Sequence, residues 1–429
     1  MPRIRVISPI GRAAAGLAQL VLVAACALPC TGRAEGSIER VDPAAAAGSM
    51  APSLADDGRA PLLSWLEPEG GGYALRLARL EGRTWRPLAT IARGARFFVN
   101  AADFPSVARG ADGSLWAHWL EKTGPGTYAY AVQLARSSDG GATWTPLGPA
   151  HDDAVPAEHG FASYAPEAGG VRVFWLDGRA TRDGEGGIEA GAMTLRTAVV
   201  EGAVRSGEVL DTRVCDCCQT AAAPTAAGPV VIYRDRSEAE VRDVFIVRRE
   251  GQGWSRPAPV HEDGWNIRGC PVNGPAVASD GDRALAVAWF TAADDRPRVQ
   301  VAFSKDAGAS FAPPVVLDDA RPAGHVDVAL DAAGDAVVSW LAKSQESGGE
   351  VLRVARVTPD GRAGAPLVVA ADADAPPSGF PRMLRLGETL VLTWAGGGEE
   401  RRVRAATLPV SLVPALAPLG NPGGSGNGE

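Results

Sequence analysis

Ser137-Ser138-Asp139-Gly140-Gly141-Ala142-Thr143-Trp144 is the stretch on which the fold turns. It fits Ser-x-Asp-x-Gly-x-x-Trp. Ser304-Lys305-Asp306-Ala307-Gly308-Ala309-Ser310-Phe311 fits the same pattern, with Phe for Trp. Worn copies stand at Glu81-Gly82-Arg83-Thr84-Trp85 and Glu250-Gly251-Gln252-Gly253-Trp254. The chemistry of the pattern is local. An Asp carboxylate accepts from backbone amides across a tight turn, and Gly admits a positive φ. The aromatic then tucks back between neighbouring sheets. One match is a weak signal; two at the same place in a repeat are a strong one.

The repeat is a short strand, a turn, and a second strand ending in an aromatic. Pro52-Ser53-Leu54 leads to Leu62-Leu63-Ser64-Trp65, and Pro105-Ser106-Val107 leads to Trp116-Ala117-His118-Trp119. The aromatic recurs at Trp65, Trp119, Trp175, Tyr233, Trp289, Trp340 and Trp394, at spacings of 54, 56, 58, 56, 51 and 54. A period near 50 with about four strands in each predicts propeller blades. One four-stranded sheet cannot bury both faces alone, so blades stack in a ring. A large side chain at the same place in every unit fills each inter-blade gap. Seven units predict seven blades, with six as the alternative if a terminal unit merges with its neighbour. Ser37 to Val41 is positioned to close the ring by adding a strand to the last blade.

With repeat and motif together, the chain resembles the sialidase-like superfamily of Asp-box (BNR-repeat) propellers over residues 50–412. The resemblance implies an all-β fold and a structural role, away from any site, for Ser137, Asp139, Gly141, Trp144, Ser304, Asp306, Gly308 and Phe311. It also implies an Arg in an Arg-Ile-Pro-like motif that grips a substrate carboxylate, a Tyr nucleophile backed by Glu, and an Asp acid/base. This chain departs from that set. Asp103-Phe104-Pro105 stands at the matching place, and an acid there repels a carboxylate. None of Tyr73, Tyr128, Tyr130, Tyr164 or Tyr233 can be placed as the nucleophile. Arg179, Arg234 and Arg382 are the candidates for an arginine cluster.

The ends bound the compartment. Met1 to Arg12 carries three Arg and no acid, and Ala13 to Ala25 is apolar. That reads as an export signal, too short for a comfortable membrane span. Val23-Ala24-Ala25-Cys26 fits a lipobox, giving a signal over 1–25 and lipidation at Cys26. Gly32 and Ala34 alternatively set ordinary cleavage after residue 34. Either way the expectation is a periplasmic or outer-membrane lipoprotein, or a secreted protein. Its only route to a membrane is a lipid anchor. Residues 35–49 read as a tether with a closing strand, and 413–429 as a flexible tail. Gly at 52 and Pro at 33 suit many turns. A net charge of −8 with interspersed signs argues against nucleic acid as a partner.

Blade topology gathers a rim. The start of each first strand and the end of each second strand share one face, and the Asp-box turns share the other. Before first strands come Asp103, Glu158, His159, Cys215 to Cys218, Arg268, Cys270 and His325; Asp327 and Arg382 lie just inside them. After second strands come Glu67, Glu121, Asp177, Arg179, Arg234 and Asp235. Asp103 paired with Glu121 or Asp177 is the candidate carboxylate pair for a glycosidase. Arg179, Arg234, Asp235, Arg382 and His159 are the candidate ligand-binding rim. The bland alternative for each is a loop end that is polar because it is wet.

Cys215-Asp216-Cys217-Cys218 and Cys270 precede the first strands of units four and five, which makes them neighbours on that rim. A vicinal ring is strained, so Cys215–Cys218 with Cys217–Cys270, or a close variant of that pairing, is the best disulfide solution in an oxidising compartment. The competing reading is a thiolate site for Cu or Zn, assisted by His159 or His325. His151 and His261 have weaker claims, and His118 reads as strand packing. Three functions stay open: a non-sialidase propeller binding a glycan or other small ligand, an active exo-glycosidase, and an envelope metal-handling protein.

Overall fold

Seven antiparallel sheets follow one another along the chain in a computed structural model that describes residues 36–181, 191–204, 207–344, 348–371, 376–398 and 401–414. Blade 1 is Met50–Asp56, Pro61–Glu69, Gly72–Glu81 and Thr84–Gly94. Blade 2 is Ser106–Arg109, Leu115–Lys122, Tyr130–Ser137 and Thr145–Pro149. Blade 3 is His159–Glu167, Gly170–Asp177, Thr194–Val200 and Glu208–Asp211. Blade 4 is Ala221–Thr225, Gly228–Arg234 and Val244–Glu250, edged by Gly253–Trp254 and Ala258–Pro259. Blade 5 is Ala276–Ser279, Leu285–Thr291, Arg298–Ser304 and Val315–Asp318. Blade 6 is Pro322–Leu330, Ala336–Lys343, Glu350–Val357 and Leu367–Ala370. Blade 7 is Pro377–Leu386, Thr389–Gly396 and Val403–Pro409, and its fourth strand is Glu39–Arg40 from the other end of the chain. Seven blades it is, not six. The described helices are two short 3-10 turns, and none is long and apolar enough to cross a membrane.

The recurring aromatics pack as the period predicts. Trp175 of blade 3 joins Trp116, Leu120 and Val132 of blade 2. Trp289 of blade 5 joins Val230, Ile232 and Ile246 of blade 4. Trp65 of blade 1 joins Val391, Val403 and Ala405 of blade 7, so the same contact closes the ring. Each such side chain stabilises the stack by about 2–3 kcal/mol through burial. The two intact Asp-boxes are made alike. Asp139 accepts from Thr143 N at 2.9 Å and Ser137 Oγ at 2.8 Å; Asp306 accepts from Ser310 N at 2.9 Å and Ser304 Oγ at 2.8 Å. Gly141 and Gly308 take φ of 95° and 83°.

Inner strands carry a second regularity. Register shifts interrupt the first strands of blades 1, 3, 6 and 7 near their starts. At these points Ala51, Phe161 and His325 adopt φ of 54°, and Gly379 adopts 70°. Bulges bend a strand and re-aim its groups, and here they free Phe161 N for Asp103 Oδ1 and His325 N for Asn273 Oδ1, each at 2.8 Å.

The ends differ in part from expectation. Residues 41–49 are not a free tether. Val41, Ala45 and Ser49 are buried, and Gly48 N donates to Arg401 O at 2.7 Å. Val413 is buried with Met383 and Leu408 of blade 7 instead of starting a tail. The export signal, Cys26 and residues 415–429 lie outside the described residues.

Candidate functional site

The inner strands of successive blades leave a cleft of about 170 Å³ at the channel mouth. Asp103, Phe104, Ser106, Ser163, Tyr164, Thr220, Asp327 and Arg382 line it. A second cleft of about 150 Å³, lined by Met50, Pro52, Phe380 and Arg401, adjoins it across Phe104. Ser163 Oγ and Thr220 Oγ1 lie 2.7 Å apart, and Thr220 Oγ1 donates to Phe161 O. Arg382 Nε lies 3.2 Å from Asp327 Oδ2, and its guanidinium sits over the Phe104 ring. Phe104 and Phe380 are neighbours at 5.7 Å, and His325 stacks on Phe380.

Asp103 stands at the wall of this cleft and is buried. Its Oδ1 accepts from Phe161 N at 2.8 Å, made available by the bulge. Its Oδ2 lies 2.8 Å from Tyr130 Oη, and the same hydroxyl lies 2.8 Å from Glu158 Oε1. A phenol has one proton. Both contacts are hydrogen bonds only if Asp103 or Glu158 carries a second. Burial raises both acids, Asp103 to about 7 and Glu158 to about 8. A Cβ on Gly160 would stand 1.9 Å from Asp103 Oδ2, so only glycine fits there. Tyr130 is buried against Phe98 at 4.0 Å and is no exposed nucleophile. His118, expected as packing, is buried with Nε2 against Phe104 O and Nδ1 3.3 Å from Ser106 Oγ. Burial lowers it to about 4.

Several expected site residues are engaged elsewhere. Glu121 pairs with Arg96 and does not line the cleft. Asp177 is fully buried, where Oδ2 accepts from Trp175 Nε1 at 2.8 Å and Oδ1 from Arg179 Nε at 2.8 Å. Glu67 accepts from Trp65 Nε1 in the same way. These acids stand two residues after the aromatic because they cap its indole, which otherwise buries an unsatisfied N–H. Neither partner proposed for Asp103 therefore joins it. Arg179 is spent on Asp177, Asp152 and Asp153. Arg234 is buried, with donors on the carbonyls of Asn273, Arg242 and Phe290 and its guanidinium over Trp265. It is a brace inside the rim, not a ligand-facing residue. Asp235 is half-buried, raised to about 7 by burial and by Asp211. Of the three candidate arginines, only Arg382 reaches the cleft.

His159 is fully buried. Its Nδ1 faces Ala157 O at 3.1 Å, and its Nε2 lies 3.3 Å from Asp153 Oδ2. His151 Nδ1 lies 3.2 Å from the same carboxylate oxygen. The two rings stack at 3.7 Å and 9°. Arg179 Nη2 lies 2.9 Å from the same Asp153 oxygen, so this group is a packed His–Asp–Arg network whose carboxylate already has a cation.

The cysteines form the densest group of reactive side chains on the rim. None is in a disulfide. Cys215 Sγ lies 3.7 Å from Cys217 Sγ and from Cys218 Sγ. Cys270 Sγ lies within 4.8 Å of Cys217 Sγ. Arg242 Nη1 points at Cys215 Sγ at 3.2 Å. Hydrogen bonds from Cys217 and Cys218, with the Arg242 charge, hold the Cys215 thiol well below its ordinary range. Cys217 is pushed up as the donor to Cys215, and burial pushes Cys218 up to about 12.

No family model matches the chain, and no curated protein matches it. Solved structures do. An α-L-arabinofuranosidase of Fusarium graminearum, in complex with an iminosugar inhibitor, is similar at 14% identity with a TM-score of 0.51, covering 87% of this chain and 98% of that one. An α-L-arabinanase of Penicillium chrysogenum with arabinobiose shares 14% identity at a TM-score of 0.48, over 88% and 98%. A mutant NanB sialidase of Streptococcus pneumoniae shares 12% at 0.44, over 87% and 69%. At these identities the likeness is one of fold. With seven four-stranded blades and two Asp-boxes, that fold is the sialidase-like β-propeller.

Proposed function

We propose that this propeller is a binding protein that takes the neutral end of a glycan, or a small polyol of the same chemistry, at its channel mouth, and is not a sialidase. One observation carries the reading. A single cleft brings together the hydroxyls of Ser106, Ser163 and Thr220, the Asp327–Arg382 pair and the face of Phe104. Sugars are recognised by such a mixture of a few directed polar groups and an aromatic wall. The cleft is small, which favours a terminal unit over the middle of a chain. A sialic acid carboxylate is poorly served there. Its one cation, Arg382, is held by Asp327, and the Asp103 carboxyl shares the wall.

The test is a glycan array followed by calorimetry on the hits. Neutral terminal sugars should bind, and Phe104→Ala and Arg382→Gln should each weaken them about tenfold or more. Preference for sialylated glycans, or an empty array, would overturn the reading.

A second reading, an exo-glycosidase, is favoured by the raised Asp103 acid in the same cleft as Asp327. A carboxyl still protonated near neutrality can protonate a leaving oxygen. Turnover of an aryl glycoside, abolished in Asp103→Asn and falling above pH 7, supports it. Absence of turnover across a panel of aryl glycosides rejects it.

A further inference from the structure

The geometry points to a second, independent site: Cys215, Cys217 and Cys218 hold one thiophilic d10 ion, a cuprous ion by preference, with Cys270 as the thiol through which it enters and leaves. This goes beyond the glycan reading and does not depend on it.

The spacing of the sulfurs is the first argument. Cys215, Cys217 and Cys218 Sγ lie within 4.8 Å of one another, and two of the separations are 3.7 Å. A disulfide brings sulfurs to about 2.0 Å. Thiolates sharing one ion, at metal–sulfur bonds of about 2.3 Å, stand about 3.8–4.0 Å apart. The three sulfurs are thus already spaced as the corners of a coordination site. They come from one short loop, so no domain movement is needed to assemble them.

Charge is the second argument. Arg234 is buried and its hydrogen bonds go only to carbonyls; the Asp243 carboxylate, which feels its charge, accepts instead from Gly264 N and Trp265 N. Its charge acts on Cys218. Arg242, also buried, points Nη1 at Cys215 Sγ, and shares Asp216 and Glu240 with Arg236. A buried cation whose hydrogen bonds all go to neutral carbonyls, as those of Arg234 do, gains from a further anion close by. Thiolates on a metal supply that anion. Three thiolates and one monovalent ion together carry two negative charges, and the buried Arg234 and Arg242 guanidiniums face them. On binding, the thiols release their protons to solvent.

The choice of ion follows from the ligand set. Its centre is three sulfurs with no imidazole, which is the preference of Cu(I) and other soft ions, and the Asp216 carboxylate beside Cys217 and Cys270 is engaged by Arg242 and Arg236. A closed structural zinc site takes four ligands and buries them. Here three sulfurs are more enclosed, and the fourth, Cys270, is exposed at 4.8 Å or less from Cys217. An exposed thiol beside a three-sulfur centre can replace one ligand and pass the ion on.

The experiment uses the full chain, reduced and handled without oxygen, and titrates Cu(I) against a chromophoric Cu(I) chelator, with a parallel Zn²⁺ arm. The expected result is one Cu(I) per chain with thiolate-to-copper charge-transfer absorption and sulfur-only ligation by X-ray absorption. Cys217→Ser should abolish it. Cys270→Ser should keep the stoichiometry but slow transfer to the chelator about tenfold or more, and circular dichroism should show both variants folded. Uptake of Zn²⁺ in preference to Cu(I) overturns the copper assignment. Failure of the folded, reduced protein to take up either ion overturns the site and leaves the disulfide pairing.

Discussion

The Asn273 carbonyl accepts two hydrogen bonds from the Arg234 guanidinium, at 3.1 and 2.8 Å. Arg234 O accepts from Cys215 N at 3.0 Å. One buried residue therefore ties the segment bearing three cysteines to the loop bearing the fourth. Arg234→Lys keeps a charge but cannot reach three carbonyls in a fork. It should lower unfolding free energy by about 2–4 kcal/mol. Cys270 should also react faster with a thiol reagent, because its loop loses an anchor. Denaturant melts and thiol-modification rates check both; an unchanged pair would remove the brace.

The acid cluster sets a pH dependence. Asp103 is raised from 3.8 to about 7 and Glu158 from 4.5 to about 8. The folded state thus binds protons that the unfolded chain has released. The stabilisation is complete below the unfolded values, is lost as pH rises through about 7 and 8, and changes no further above them. Thermal midpoints should fall between about pH 4 and 8. In Asp103→Asn with Glu158→Gln the fall should be much shallower. Equal slopes in the two proteins would show that Tyr130 does not organise a shared proton.

Gly308 tests the Asp-box. A Cβ there would stand 2.4 Å from Ile246 Cδ1 of the neighbouring blade, at a φ of 83°. Gly308→Ala therefore meets a strained backbone and a crowded interface together, and should cost about 2–4 kcal/mol. Asp306→Asn keeps the shape and loses only charge-assisted bonds, at about 1–2 kcal/mol. Neither should change ligand affinity at the opposite face. The order of the two melting temperatures is the readout.

The closing strand makes a further prediction. Glu39 and Arg40 pair with Thr407 and Ala406, and Asp42 Oδ1 accepts from Ala405 N at 2.9 Å. Starting the chain at Ala44 removes these bonds and bares the edge of Val403–Pro409. An open edge is a template for pairing with another chain. The truncated protein should melt lower and self-associate on light scattering, and it should stay monodisperse if the ring needs no closure.

What was legible in the chain follows from repetition. Trp65 to Trp394 could be read because each period says the same thing, and the cysteines because both segments precede first strands. Residues that act across the repeat were not legible. Tyr130 starts a third strand, and no periodicity says that its hydroxyl reaches Asp103 and Glu158. Three misread residues did leave signals. Asp177 and Glu67 both stand two places after the aromatic, the spacing of an indole cap. Arg234 follows Tyr233 where Leu66, Leu120, Leu176, Phe290 and Leu341 follow theirs. A cation in a row of buried apolar positions is a buried cation, and it needs carbonyls.

That cap assignment separates structure from catalysis at Asp177. Its carboxylate accepts from Trp175 Nε1 and from Nε and Nη2 of Arg179, and lies 3.8 Å from His159 Nε2. The Arg179 bonds lead the influences that hold this carboxyl below its usual range against the upward push of burial. Removing it leaves a buried indole N–H, a guanidinium and an imidazole short of an acceptor. Asp177→Ala should lower stability by about 3 kcal/mol or more, and Asp177→Asn by less, because an amide oxygen can still take the indole bond. In wild type this carboxyl should contribute stability above its ordinary value of 3.8 that is lost as pH falls through its lower native value, and either variant should lack that component. Glycan affinity at the cleft should remain. A variant that melts normally yet loses ligand or turnover would return Asp177 to the site and undo the assignment.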